Sequence, residues 1–97
     1  MTTEEVRNFI DCVTHEDCTL RLHGRIYWCN GLARYSDGKT HILVYELDKD
    51  DVHKWVRDIL DYASDSRDDC MKHFLEDKYW DGKSFYDVAP DMEWIDL

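Results

Sequence analysis

Ninety-seven residues carry 22 acidic side chains against 12 basic ones, a net charge of −10, yet 43% of the chain is hydrophobic and 13% aromatic. This composition excludes a disordered segment and specifies a single domain, residues 1–97, with one small core. It also disfavours direct binding to bare nucleic acid or to an anionic membrane, and favours a basic protein partner.

No stretch approaches the ~20 consecutive apolar residues of a membrane span. The opening MTTEEVRNFI lacks the basic-then-apolar order of a signal peptide. The expectation is a soluble, cytoplasmic protein, within a host cell if phage-encoded, whose four cysteines (Cys12, Cys18, Cys29, Cys70) stay reduced.

In chain order, Thr2 and Glu5 have the spacing of a capping box ahead of Val6, Phe9, Ile10 and Val13, which predicts an amphipathic helix over about 3–14. Cys18, Leu20 and Leu22 alternate with Thr19 and Arg21 as a strand, and His23-Gly24 turns the chain. Residues 25–35 read as a second strand, bulged near Asn30-Gly31. Asp37-Gly38 predicts a type I′ hairpin leading into a third strand, THILVYEL. Val52, Trp55, Val56, Ile59 and Ala63 recur at helical spacing, which predicts a second helix over about 51–63. A third helix starts after Ser66 and turns Cys70, Met71, Phe74 and Leu75 inward. The tail YWDGKSFYDVAPDMEWIDL has a Trp-Asp-Gly turn and enough aromatics for a short extra strand. The expected fold is therefore α+β: an N-terminal helix, a three-stranded antiparallel meander, two C-terminal helices and an aromatic tail.

Charge is unevenly spread. Residues 1–18 hold five acids and one base, 19–45 four bases and one acid, and 46–97 sixteen acids and seven bases. Asp50, Asp51, Asp68 and Asp69 are accounted for as helix-start residues, where carboxylates meet exposed N–H groups. Asp58, Asp61 and Asp65 remain as a possible recognition row. On a helix, residues 51–65 spread a net charge of −2 over about 22 Å, several-fold more dilute than the one charge per ~1.7 Å of duplex DNA. An acidic surface therefore requires pooling with Glu76, Asp77, Asp87, Asp91 and Glu93, beside Trp80, Tyr86 and Trp94 as apolar anchors. Arg21 and Arg25, expected together on the solvent face of the meander, are read as pairing with acids of the same domain or of a second copy.

Cys12-x-x-His15 and Cys70-x-x-His73 together supply four ligands of a possible zinc site, although the Cys-x-x-Cys knuckle is absent and buried core cysteines are the default. A Cys29, His23 or His41, and Asp37 set can be drawn for nucleophilic chemistry, but no Gly-rich phosphate loop, nucleophile elbow or metalloprotease motif accompanies it. The reading is of a non-enzymatic protein with no cofactor.

Two segments, GRIYWCNGLARYSDGKTHILVYEL and YWDGKSFYDV with the closing EWID, resemble small proteins encoded by phages and mobile elements of Gram-positive bacteria. Such small acidic phage proteins include anti-CRISPR inhibitors, several of which resemble DNA in charge. The resemblance implies an inhibitor that binds a basic nucleic-acid-handling protein such as a CRISPR effector, and transfers no functional residues. The basic segment 19–45 departs from a uniformly acidic DNA mimic. Two other readings stand beside it: a small adaptor or dimerising protein whose acidity serves solubility, and a zinc-stabilised regulator. Monomer and homodimer are both compatible with the sequence.

Overall fold

The Thr-x-x-Glu pattern at the chain start closes a capping box. Thr2 Oγ1 accepts the Glu5 N–H at 3.1 Å, and Glu5 Oε1 accepts the Thr2 N–H at 3.0 Å. Helix α1 (Thr3–Val13) follows, burying Phe9 and Val13. The computed structural model describes all residues, 1–97, and continues with strands β1 (Cys18–Leu22), β2 (Arg25–Arg34), β3 (Thr40–Leu47) and β4 (Trp55–Ser64). Helix α2 (Arg67–Glu76), the short helix α3 (Phe85–Val88), a 3-10 turn (Ala89–Asp91) and strand β5 (Met92–Ile95) complete it. The strands form one sheet in the order β4-β3-β2-β1-β5, every pair antiparallel.

This overturns the expected three-stranded meander with two C-terminal helices. The segment expected as a helix over 51–63 is largely β4, an edge strand of a five-stranded sheet. Two β-bulges explain why its sequence imitates a helix. Val44 faces Leu60 and Tyr45 faces Asp58, which leaves Ile59 over; Glu46 faces Arg57 and Leu47 faces Trp55, which leaves Val56 over. Each extra residue resets the two-residue alternation of a strand. Trp55, Asp58 and Asp61, three apart, therefore share one face, and the apparent period moves from two toward that of a helix.

The turns also sort differently from expectation. His23 and Gly24 both have positive φ (50° and 79°), as a type I′ turn between β1 and β2 requires. In the β2–β3 hairpin Gly38 has a positive φ of 80° and Asp37 does not. Tyr35 and Lys39 flank a three-residue loop there, with Tyr35 N–H donating to the Lys39 carbonyl at 2.9 Å.

All three helices cover the same face of the sheet. Phe9 of α1, Phe74 of α2 and Phe85 of α3 are fully buried, with ring centroids 5.2–6.4 Å apart. They join a core cluster with Leu20, Leu22, Tyr27, Cys29, Ile42 and Val44 from the strands. The return of β5 beside β1 is tied to the chain start. The Met1 ammonium donates to the Ala89 carbonyl at 2.9 Å and to the Met92 carbonyl at 2.6 Å.

The turn after α1 lies directly on β2 at Gly31. A Cβ there would sit 2.6 Å from the Glu16 carbonyl oxygen and 2.9 Å from that of Val13, both backbone atoms. Gly31→Ala is therefore expected to lower the urea midpoint by the equivalent of about 1–3 kcal/mol with an unchanged m-value. A midpoint equal to the parent's would show that the turn moves freely.

Four carboxyls are held below their ordinary range by the hydrogen bonds they accept: Glu5 from Thr2, Asp37 from Lys39 and His41, Asp69 from Tyr62 and Asp87 from Ser84. Because each folded-state value is depressed, its contribution is present above the unfolded carboxylate range near pH 4 and is lost as pH falls through the lowered value. Denaturant midpoints should thus hold from pH 7 to about 5 and fall below about 4. Asp87→Asn should make that acid limb shallower; an unchanged limb would refute the role of this cap.

Candidate functional site

Because the helices are all on one side, the other face of the sheet is left without a covering element. Strand alternation and register place Thr19, Arg21, Ile26, Trp28, Leu43, Tyr45, Leu47 and Ile95 on it, with Trp55, Asp58 and Asp61 from β4. Ile26 and Leu47 are buried but stand outside the core cluster. Trp28, Leu43 and Tyr45 are half-buried, and Trp55 is 56% exposed. Trp28 and Tyr45 stack across β2 and β3, with centroids 6.5 Å apart and planes within 10°.

Carboxylates fix these aromatics. Asp17, in the turn after α1, accepts the Gly31 N–H at 2.9 Å through Oδ1 and the Trp28 Nε1–H at 3.1 Å through Oδ2. Asp58 Oδ1 accepts the Trp55 Nε1–H at 2.8 Å. Burial, followed by the charges of Asp17 and Asp58, pushes the Tyr45 phenol above its ordinary range. The phenol therefore remains a neutral hydrogen-bonding group throughout the physiological range. With Asp61 and Glu93, four carboxylates stand at this face or its margin. One guanidinium, Arg21, opposes them and is engaged by Glu93 at 3.4 Å. Chemically the face offers flat aromatic area with a negative surround.

The expected acids divide. Asp58 and Asp61 are together on β4, and Glu93 reaches the same face from β5. Asp65 lies in the connection to α2, beside Arg34 and Arg67. Asp77 is bound to His73 Nδ1 at 2.7 Å, Asp87 caps α3, and Asp91 stands 3.7 Å from His23. Glu76 and Tyr86 line a shallow groove on α2 with Met71 and Leu75. Of the expected anchors, Tyr86 is 52% exposed and Trp94 38%, the latter edge-on to Phe9 at 5.5 Å. Trp80 is corrected: it is 3% exposed and packs against Tyr27 with centroids 4.9 Å apart, so it is a core residue. Arg21 and Arg25 are also separated. Arg21 opposes Ile26 on the open face, whereas Arg25 opposes Leu22 on the helix side and reaches Glu46, which Arg57 also binds, at 2.9 Å.

The four residues drawn for zinc do not converge. Cys12 contacts Cys18 and Glu16, and Cys70 is fully buried and donates to the Thr40 carbonyl. His73 stacks on Tyr62 between Asp69 and Asp77, and no three metal-ligating side chains form a group. Cys29, the nucleophile in the drawn set, is fully buried, and that burial pushes its thiol up.

Sequence reasoning missed Asp17, Trp28 and Tyr45. The available signal was alternation: Trp28 falls between the core residues Tyr27 and Cys29, and Tyr45 follows the core residues Ile42 and Val44 out of phase. No helix of the protein is long and apolar enough to cross a membrane. Comparison with protein-family models, curated proteins and solved structures finds no match.

Asp17 is a positioning residue for Trp28. In Asp17→Ala the Trp28 indole N–H and the Gly31 N–H both lose their acceptor, at about 1–2 kcal/mol of stability. Of the four indole N–H signals in a nitrogen–proton correlation spectrum, Trp28's is expected to move furthest. An undisturbed Trp28 signal would overturn the assignment.

Proposed function

We propose that this protein acts by binding rather than by catalysis, as an inhibitor that lays its open sheet face on a basic, nucleic-acid-handling protein of the CRISPR-effector kind. The observation that carries the reading is the pairing of Trp28, Tyr45 and Trp55 with Asp17, Asp58 and Asp61 on a face that no helix covers. Such a face combines flat apolar anchors with a negative potential suited to a lysine- and arginine-rich groove.

The charge density favours docking over imitation of a duplex. Across the bulge, Asp58 and Asp61 face Tyr45 and Leu43, two residues apart, and so stand about 7 Å apart along the axis, against one charge per ~1.7 Å in duplex DNA. Carboxylates this sparse steer the encounter and set orientation, while the aromatics supply affinity. Self-association through the same face is the second reading, favoured by the 56% exposure of Trp55. Like-charged carboxylates meeting across a two-fold interface oppose it.

The experiment is binding to purified nucleic-acid-handling proteins, a CRISPR effector among them, at two ionic strengths and with competing nucleic acid. Affinity is expected to weaken as salt rises and to fall at least about ten-fold in Asp58→Lys with Asp61→Lys, the loss of roughly 1.4 kcal/mol. Equal affinity of parent and variant would remove this face from the proposal. Salt-insensitive dimerisation in sedimentation would favour the second reading.

A further inference from the structure

The turn that carries Asp17 also brings two thiols together. Cys12, in the last turn of α1, and Cys18, the first residue of β1, have sulfurs 3.3 Å apart. Cys12 is half-buried and lines a cleft of about 210 Å³ open to solvent, with Trp28 and Trp94 among its walls. Cys18 lines the same cleft and is 4% exposed. Cys29, opposite Cys18 on β2, is fully buried. We propose that Cys12 and Cys18 are an oxidation site at which a peroxide closes a disulfide between the end of α1 and the start of β1.

The geometry assigns the roles. Cys12 is the sulfur that a small oxidant reaches, and Cys18 is the resolving sulfur. Cys12 attacks hydrogen peroxide, the O–O bond breaks, and Cys12 becomes a sulfenic acid as one water leaves. Cys18 then attacks the Cys12 sulfur, forming the S–S bond and expelling hydroxide, which takes up the Cys18 proton as a second water. Two thiols and one peroxide thus give one disulfide and two waters, the two electrons passing to the peroxide. Bond formation needs the sulfurs to close from 3.3 Å to about 2.05 Å, a small motion of a half-exposed side chain. Cys18 is the resolving partner because its sulfur is the one in contact with Cys12, whereas Cys29 is fully buried beyond it on β2.

The surroundings also set the pace. Cys12 donates to Glu16 Oε1 at 2.9 Å, and burial followed by this hydrogen bond pushes its thiol up; burial pushes Cys18 up as well. Thiolate is the attacking species, so the reaction is slow near neutrality and accelerates as pH rises. The site does not depend on the proposed partner.

The test treats the folded, full chain with hydrogen peroxide, counts thiols after denaturation and maps them by tryptic peptides. Residues 8–21 form one such peptide carrying both Cys12 and Cys18, whereas Cys29 and Cys70 fall in others. The expected result is a fall from four free thiols to two and a loss of two hydrogens confined to the peptide 8–21. Cys12→Ser should abolish the change, and Cys70→Ala should leave it intact. A peptide 8–21 without the bridge, Cys12 carried on to sulfinic acid alone, or a bridge joining Cys18 to Cys29 would each overturn the proposal.

Discussion

Three phenylalanines decide how the rest of the molecule is arranged. Phe9, Phe74 and Phe85 come from three different helices and meet within 6.4 Å of one another, fully buried. A chain of 97 residues has one core to build, and an aromatic cluster joining every helix fixes that core on a single side of the sheet. The opposite face then has no helix left to cover it. Its aromatic content makes that exposure costly unless it serves recognition. The one-sided core and the uncovered aromatic face of the sheet are therefore one fact.

The sheet's outer edge shows how local irregularity serves the same end. A regular strand would send Asp58 and Asp61 to opposite faces, since they are three residues apart. The bulge at Ile59 places them together, and the bulge at Val56 adds Trp55 to the same side. Ile59 and Leu60 meanwhile pack against the core. Bulges also twist and interrupt an edge that would otherwise template pairing with another chain. In β4 the device that protects the edge also composes the face.

What was legible in the sequence follows from which signals are local. The Thr2–Glu5 capping box, the Ser66 cap and the Trp-Asp-Gly turn are written in residues that contact one another within a few positions, and each is found where it was read. The type I′ turn assigned to Asp37-Gly38 failed because loop length, set by the pairing of Tyr35 with Lys39, overrides the dipeptide preference. The helix read over 51–63 failed for a deeper reason: two bulges gave a strand the period of a helix. That error carried the row of Asp58, Asp61 and Asp65 with it, because those three acids were read along a helix face. Asp58, Asp61 and Glu93 share a face only through sheet register, and Trp80 is buried by its contact with distant Tyr27. Neither can be read from spacing.

The turn between α1 and β1 links the two sides of the sheet most directly. Its backbone presses on Gly31 so closely that a methyl group has no room. Asp17 uses that proximity to hold the Gly31 N–H and the Trp28 indole at once. Cys12 and Cys18 meet at its base. A covalent bond there would bridge the residues that flank Asp17, restricting the motions through which the turn could release Trp28. The helix side of the sheet and its open face thus meet at one short segment. A change at that segment acts on both, since Asp17 is bonded to Gly31 beneath the turn and to the aromatic stack beyond it.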